Sequence, residues 1–318
     1  MNDTNIPAQA ARIAAESGGD ARVLLAEWWR TCARDLPWRF GRTTPWGVLV
    51  SEVMSQQTQM SRVVPYWNEW MERWPDAASL AVASKADVIA AWGRLGYPRR
   101  ALRLRECARV VDEDYQGELP QSYDELTALP GIGDYTASAV LSFAFGRRAV
   151  VVDTNIRRVL SRVFLGEESL GGAASAADRA LAEHVLPDDD RVQDRRFDRP
   201  SVVWNQSVME LGAVVCTAKR PLCEQCPIAG ICLFWEHGRP GLGQRRTRPR
   251  QRFQGTDRQV RGLVLDALRG LPDGVVSLER KAIEGLWPDH VQLDRCVASL
   301  DEDGLIEILP GGGVCFPS

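Results

Sequence analysis

The chain has 318 residues and a net charge of −3, with 45% hydrophobic and 25% charged residues, the make-up of an ordinary soluble protein with room for two cores. This balance excludes a uniformly basic nucleic-acid coat, and no apolar run reaches the about 18 residues of a transmembrane helix. The N-terminus, MNDTNIPAQAARIAAESGGDARV, lacks the basic start and apolar stretch of a secretory signal, so the eight cysteines are read as intracellular thiols, reduced or metal-bound.

Up to residue 240 the apolar residues recur at helical rather than alternating spacing. PWGVLVSEVMSQQTQMSRVVPYWNEWMERW (45–74) is expected to form two helices, with Pro65 starting the second or breaking between them. SKADVIAAWGRL (84–95) has Ser84 at its N-cap and Asp87 in its first turn, and its helix is expected to end at Gly96. Two further helices are expected in the amphipathic stretch RRALRLRECARVVDEDY (99–115) and in SYDELTAL (122–129), the latter capped by Ser122. Helices joined by short connections make an all-α domain the default architecture.

In ALPGIGDYTASAV (128–140), Gly131 and Gly133 flank one apolar residue, and a helix is expected to start near Asp134. Such a turn either joins two helices tightly or offers free helix N–H groups to a nucleic-acid phosphate. VVVDTNIRRVLSR (150–162) puts Asp153 after an apolar run and ahead of an arginine-bearing helix, the place of an N-cap. LPDDDRVQDRRFDRP (186–200) is mixed in charge and reads as a solvated loop. Trp38 and Trp204 read as core residues.

Cys216, Cys223, Cys226 and Cys232 follow one another with six, two and five residues between them. Four thiolates serve zinc or an iron–sulfur cluster equally well. A four-cysteine zinc site usually brings two Cys-x2-Cys pairs and here there is one, which favours the cluster without deciding it. Cys32, Cys107, Cys296 and Cys315 lack such spacing and read as isolated thiols. Residues 239–261 carry eight arginines against one aspartate, Asp257, a composition that suits a linker and a DNA-binding arm alike. Beyond them, RQVRGLVLDALRG, SLERKAIEGLW and HVQLDRCVASLDEDGL are expected to be helices, and IEILPGGGVCFPS a hairpin, the order of a small winged-helix-like module.

The ordered set SEVMSQQTQ, GRLGY, LPGIGDYTASA, VDTNIRRVL and the four-cysteine loop resembles the helix-hairpin-helix DNA glycosylase superfamily over roughly residues 25 to 237. Within it, SEVMSQQTQ most resembles the MutY-type adenine DNA glycosylases, in a short actinobacterial-like form without their Nudix-like C-terminal domain. The resemblance implies a mainly α fold: a helix-hairpin-helix glycosylase core with its iron–sulfur loop at 1–238, a basic linker at 239–257 and the winged-helix-like domain at 258–318. It implies a [4Fe–4S] cluster on Cys216, Cys223, Cys226 and Cys232, with Lys219 and Arg220 of that loop facing DNA phosphates.

The implied activity is monofunctional excision of adenine opposite 8-oxoguanine or guanine in duplex DNA, during base excision repair. Glu52 would protonate the leaving base and Asp153 would stabilise the sugar cation, with Tyr135 and Asn155 positioning the sugar and the attacking species. Tyr135 stands where the endonuclease III branch has the lysine that forms a Schiff base, so no efficient strand-nicking step is expected. Gln57 and Tyr97 match the wedge that enters the duplex, Gly131 and Gly133 the phosphate-binding hairpin, and Arg39 and Glu210 the adenine pocket. A bacterial cytoplasmic, nucleoid-associated monomer is expected, with no membrane partner. The alternatives are a thymine glycosylase for G·T mismatches and a non-catalytic iron–sulfur DNA-binding regulator.

Overall fold

The computed structural model describes residues 8–169, 172–189, 197–244 and 253–318, with side chains from residue 16 onward. Residues 245–252 of the basic arm, and 190–196 of the mixed loop after residue 186, lie outside the described residues. The chain opens with α1 (Ala8–Cys32), α2 (Pro45–Ser55), α3 (Met60–Arg73), α4 (Ala77–Ala81), α5 (Lys85–Trp92) and α6 (Arg99–Tyr115). Next, α7 (Tyr123–Ala128) and α8 (Asp134–Phe143) flank the two-glycine turn, and α9 (Thr154–Leu160) runs into a π-helical turn, Ser161–Leu165. α10 (Ala176–Val185) and α11 (Pro200–Val214) lead to the cysteine loop, which α12 (Leu233–Glu236) closes.

Two compact units result. The first takes the described parts of Met1–Leu49, Gln121–Thr127 and Ile132–Pro249, and the second those of Val50–Pro120, Ala128–Gly131 and Arg250–Ser318. In the first, α1 packs along α10 and α11, and α9 lies against α11. Leu25, Val208 and Leu211 are fully buried there, each such side chain contributing about 2 kcal/mol of apolar burial. In the second unit, α3 turns Val63, Trp67 and Trp70 inward at helical spacing. The Trp70 ring meets Trp74 and Trp92 edge-on, with centroids 4.7 and 5.5 Å apart.

The C-terminal residues of the second unit form α13 (Asp257–Arg269), β1 (Ser277–Leu278), α14 (Arg280–Glu284), α15 (His290–Glu302), β2 (Glu307–Ile308) and β3 (Val314–Cys315). β3 pairs antiparallel with both β1 and β2, in the order β1-β3-β2, which is the helix and wing arrangement of a winged-helix module. Its core of Val260, Val264, Leu293, Leu300 and Val314 also takes in Ile89 of α5.

Three local expectations need correction. Pro65 neither starts α3 nor breaks the pair but sits inside α3, which begins at Met60. The break lies upstream at residues 56–59, where Gln57 takes a left-handed φ of 55°, and α3 gives up only the hydrogen bond that the missing N–H of Pro65 would make. α5 stops at Trp92 rather than at Gly96, because Gly93 adopts φ 52° and ψ −130°, a conformation open mainly to glycine. Finally, the start of SLERKAIEGLW is strand β1 and not helix, since Ser277 and Leu278 complete the small sheet.

Candidate active site

Asp153 caps α9, as its position predicts, and both of its oxygens are engaged. Oδ1 accepts from the Ile156 N–H at 2.6 Å and Oδ2 from the Asn155 amide at 2.8 Å. The carboxyl is recessed, and burial raises its pKa, with the Ile156 and Asn155 hydrogen bonds and the Arg158 charge pulling the other way. Arg158 extends the chain of contacts. It donates to Asn155 Oδ1 at 2.8 Å and to the Cys216 carbonyl at 2.8 Å. A continuous polar path thus runs from the Asp153 carboxylate to the first cysteine of the four-cysteine loop.

Cys216, Cys223, Cys226 and Cys232 line one pocket, together with apolar groups such as Val215, Phe234 and Trp235. Among the described residues no three His, Cys, Asp or Glu side chains are grouped as a single ion requires. A polynuclear cluster bound through four thiolates fits this arrangement better than zinc does. Burial pushes the Cys226 thiol up to about 12 and raises Cys223 and Cys232, so loading a cluster would release protons.

Arg162, fully buried on the π turn, backs the same cavity. Its guanidinium donates to Cys216 Sγ at 3.3 Å and to the Thr217 carbonyl at 2.9 Å, is neutralised by Glu168 at 2.7 Å, and lies 4.8 Å from the Phe234 ring centre. The Leu222 N–H to Val215 carbonyl bond closes the loop between the first two cysteines at 2.9 Å. Lys219 and Arg220 stand exposed at its tip.

Glu210 on α11 is fully buried. Arg34 bonds both of its oxygens, at 2.6 and 2.8 Å, and Arg39 bonds the second at 2.7 Å. Burial opposes ionisation of Glu210, but the two arginines outweigh it and hold its pKa at about 2. Arg39 also lies 4.8 Å from the Trp29 ring centre. Trp38 and Trp204 are buried, as core residues should be.

The remaining residues belong to the second unit or to the turn. Glu52 is buried on α2, in the apolar run that the sequence offers it. Gln57 and Tyr97 are exposed, and both have left-handed backbones, with φ of 55° and 48°. For non-glycine residues that conformation is costly and tends to occur where a side chain has to be aimed. Arg100 joins their two loops: its guanidinium donates to the carbonyls of Val53 at 2.6 Å, Gln56 at 2.9 Å and Gly96 at 3.0 Å. Burial lowers its pKa to about 10, which the nearby Tyr97 partly offsets.

Gly131 has φ 79°, and a Cβ there would come within 3.1 Å of the Arg103 side chain. Gly133, the N-cap of α8, has an ordinary φ of −103° and nothing within 4 Å of where a Cβ would stand. The fold itself therefore requires the first glycine but not the second. Tyr135 occupies the second position of α8, partly buried.

Arg34, Arg100, Arg158 and Arg162 were not among the residues singled out from the sequence. A signal existed for two of them: Arg158 and Arg162 are four residues apart among Val and Leu, so one face of an otherwise apolar helix must bury charge. Arg34 and Arg100 have no such local mark, because their partners are distant carbonyls and a carboxylate.

Residues 50–184 match the model of the HhH-GPD superfamily base excision DNA repair proteins. Residues 216–232, which run from the first of the four cysteines to the last, match the iron-sulfur binding domain of endonuclease III. The chain thus has a [4Fe–4S] cofactor loop. It is 44% identical over 287 residues to an adenine DNA glycosylase of Mycolicibacterium smegmatis, covering 90% of this chain and 92% of that protein. Identity to an adenine DNA glycosylase of Mycobacterium tuberculosis is 41% over 294 residues, covering 92% of each chain. Among solved structures, a thermostable thymine-DNA glycosylase superposes with a TM-score of 0.60 at 26% identity, over 70% of this chain and 98% of that one. Shared fold, cysteine loop and near full-length identity agree: the chain belongs to the adenine DNA glycosylase family of the HhH-GPD superfamily of base excision DNA repair proteins.

Proposed function

We propose that this protein removes adenine mispaired with 8-oxoguanine or guanine from duplex DNA, as a monofunctional glycosylase acting in the bacterial cytoplasm. The observation that carries the mechanism is the Asp153 carboxylate, held through both oxygens by Ile156 and Asn155. A carboxylate fixed in this way is pre-organised to stabilise positive charge on a deoxyribose ring without moving. Adenine as the base is supported by the names of the mycobacterial relatives.

In this reading the target nucleotide leaves the stack before reaction. Gln57 and Tyr97 fill the space it vacates, while the backbone around Gly131 and Gly133 and the cations Lys219 and Arg220 hold the phosphates. Glu52, in its apolar setting, delivers a proton to a ring nitrogen of adenine as the C1′–N9 bond breaks. The bonding electrons leave with the base, and Asp153 faces the resulting oxocarbenium-like sugar. Water then adds at C1′, positioned by Asn155 and Tyr135, and the proton it sheds returns the Glu52 carboxylate to its acid form. Arg39 and Glu210 act on the adenine pocket from behind, by bracing its wall, since they are bound to each other. Cys216, Cys223, Cys226 and Cys232 would hold the [4Fe–4S] cluster, whose binding would fix the loop that carries Lys219 and Arg220.

Tyr135 decides the fate of the sugar, because a phenol cannot form the imine by which an amine would cleave the strand. The test is to incubate the protein with an A·8-oxoguanine duplex and analyse the strands before and after alkali, with borohydride present in a parallel sample. Breaks that need alkali, with no borohydride-trapped adduct, are expected; alkali-independent breaks with a trapped adduct would overturn the monofunctional reading. A second reading, thymine removal from G·T mismatches, is favoured by the structural match to a thymine-DNA glycosylase.

A further inference from the structure

The Tyr97 ring is flanked by two guanidiniums. The Arg100 carbon lies 5.8 Å from the ring centre, and that of Arg258, in the first turn of α13, lies 5.2 Å away. Contacts on either side tie the same loop to the C-terminal module. Arg94, three residues before Tyr97, pairs with Asp266 of α13 at 3.0 Å, and Arg99, two residues after it, pairs with Asp303 at 3.1 Å. Below the loop, Ile89 and Leu102 pack into the core of the module. The N-terminal turn of α13 is itself fixed, because Asp257 pairs with Arg295 of α15 at 2.8 Å.

These contacts bear on a ring that needs support. Tyr97 is 49% exposed and its backbone is left-handed, so little of its own packing selects one side-chain rotamer. A planar guanidinium against the ring face restricts it without hiding its edge. An exposed aromatic that has to enter a base stack gains from being oriented beforehand, since less freedom is lost on binding.

We infer that the C-terminal module is a working part of the duplex-opening wedge, with Arg258 as a positioning residue that orients the Tyr97 ring before it meets DNA. The inference rests on the reading of Tyr97 as the wedge. It gives the module a role in every encounter with DNA, whatever base stands opposite the target.

The test is a double-mutant cycle on the full-length, cluster-loaded protein: Arg258→Ala, Tyr97→Ala and the two combined, with Arg258→Lys as the conservative variant. Extrusion is read from 2-aminopurine fluorescence beside the mispaired adenine, and chemistry from single-turnover excision on the same duplex. Arg258→Ala should slow extrusion about 2- to 5-fold, the size expected of an exposed cation–π contact. Arg258→Lys should recover part of that loss, and Arg258→Ala should cost nothing more once Tyr97 is alanine. The slope of log affinity against log salt should stay unchanged.

An equal loss in both Tyr97 backgrounds, no loss at all, or a salt slope reduced by about one, as for a direct phosphate contact, would each overturn the inference. The wedge reading fails separately: Tyr97→Ala alone would then leave extrusion unchanged, whatever Arg258 does.

Discussion

Burial holds the Asp153 carboxyl above the usual range, whereas Arg34 and Arg39 hold Glu210 down at about 2. The two consequences have opposite sign. For Asp153 the ionised form is the reactive one, and a raised pKa means that the carboxylate is lost earlier as the solution is acidified. The acid limb of the excision rate should therefore lie above the ordinary aspartate pKa of about 3.9. Arg158 favours the ionised form, so Arg158→Met should move that limb further up in pH, as a pH profile of single-turnover excision would record. For Glu210 the folded-state pKa is depressed, so its stabilisation is complete above the unfolded value of 4.5 and is lost as pH falls toward about 2. Glu210→Gln leaves two arginines facing a neutral amide and should cost about 3 kcal/mol at neutral pH. Denaturant unfolding at several pH values should show that gap narrowing between pH 4.5 and about 2.

At the scale of single elements, the two glycines of the helix-hairpin-helix turn make separable predictions. Gly131→Ala places a methyl at φ 79° and against Arg103, and should lower stability by about 1–2 kcal/mol. Gly133→Ala meets open space at an ordinary φ, so its melting temperature should hold while duplex affinity falls severalfold, because the methyl stands where a phosphate would approach. Thermal melts beside filter binding would separate the two. The sequence makes several elements readable for the same local reasons. α6 begins and ends where its amphipathic stretch does, and Ser84, Ser122 and Asp153 lie at the caps that their side chains favour. The rest depends on tertiary contacts. The left-handed turns at Gln57 and Tyr97 have no residue-level signature, since Arg100 fixes them through main-chain carbonyls, at Gln56 far along the chain and at nearby Gly96. β1 is two residues long and exists only because β3 lies beside it.

At the scale of the whole chain, the order of the motifs made the family and its iron–sulfur loop readable, because each motif is local and its neighbours confirm it. The charges behind the site were less accessible: Arg158, Arg162 and Glu210 are buried side chains whose partners lie 54 or more residues away in sequence, or across a turn. The attachment of the C-terminal helices to Ile89 and Leu102 has the same character, since two apolar residues on amphipathic helices do not announce what will cover them. The net charge of −3 gives no sign of where cations stand, such as the adjacent, exposed Lys219 and Arg220 at the tip of the cysteine loop.

The central claim is that Glu52 and Asp153 release adenine by hydrolysis of its glycosidic bond. Its most direct test is single-turnover base release from otherwise identical A·8-oxoguanine, A·G and T·G duplexes, with Glu52→Gln and Asp153→Asn run beside the native protein. Adenine release from both A-containing duplexes is predicted, slowed by at least about 100-fold in each variant, with DNA binding retained. Release of thymine alone, or adenine release that survives either substitution, would contradict it.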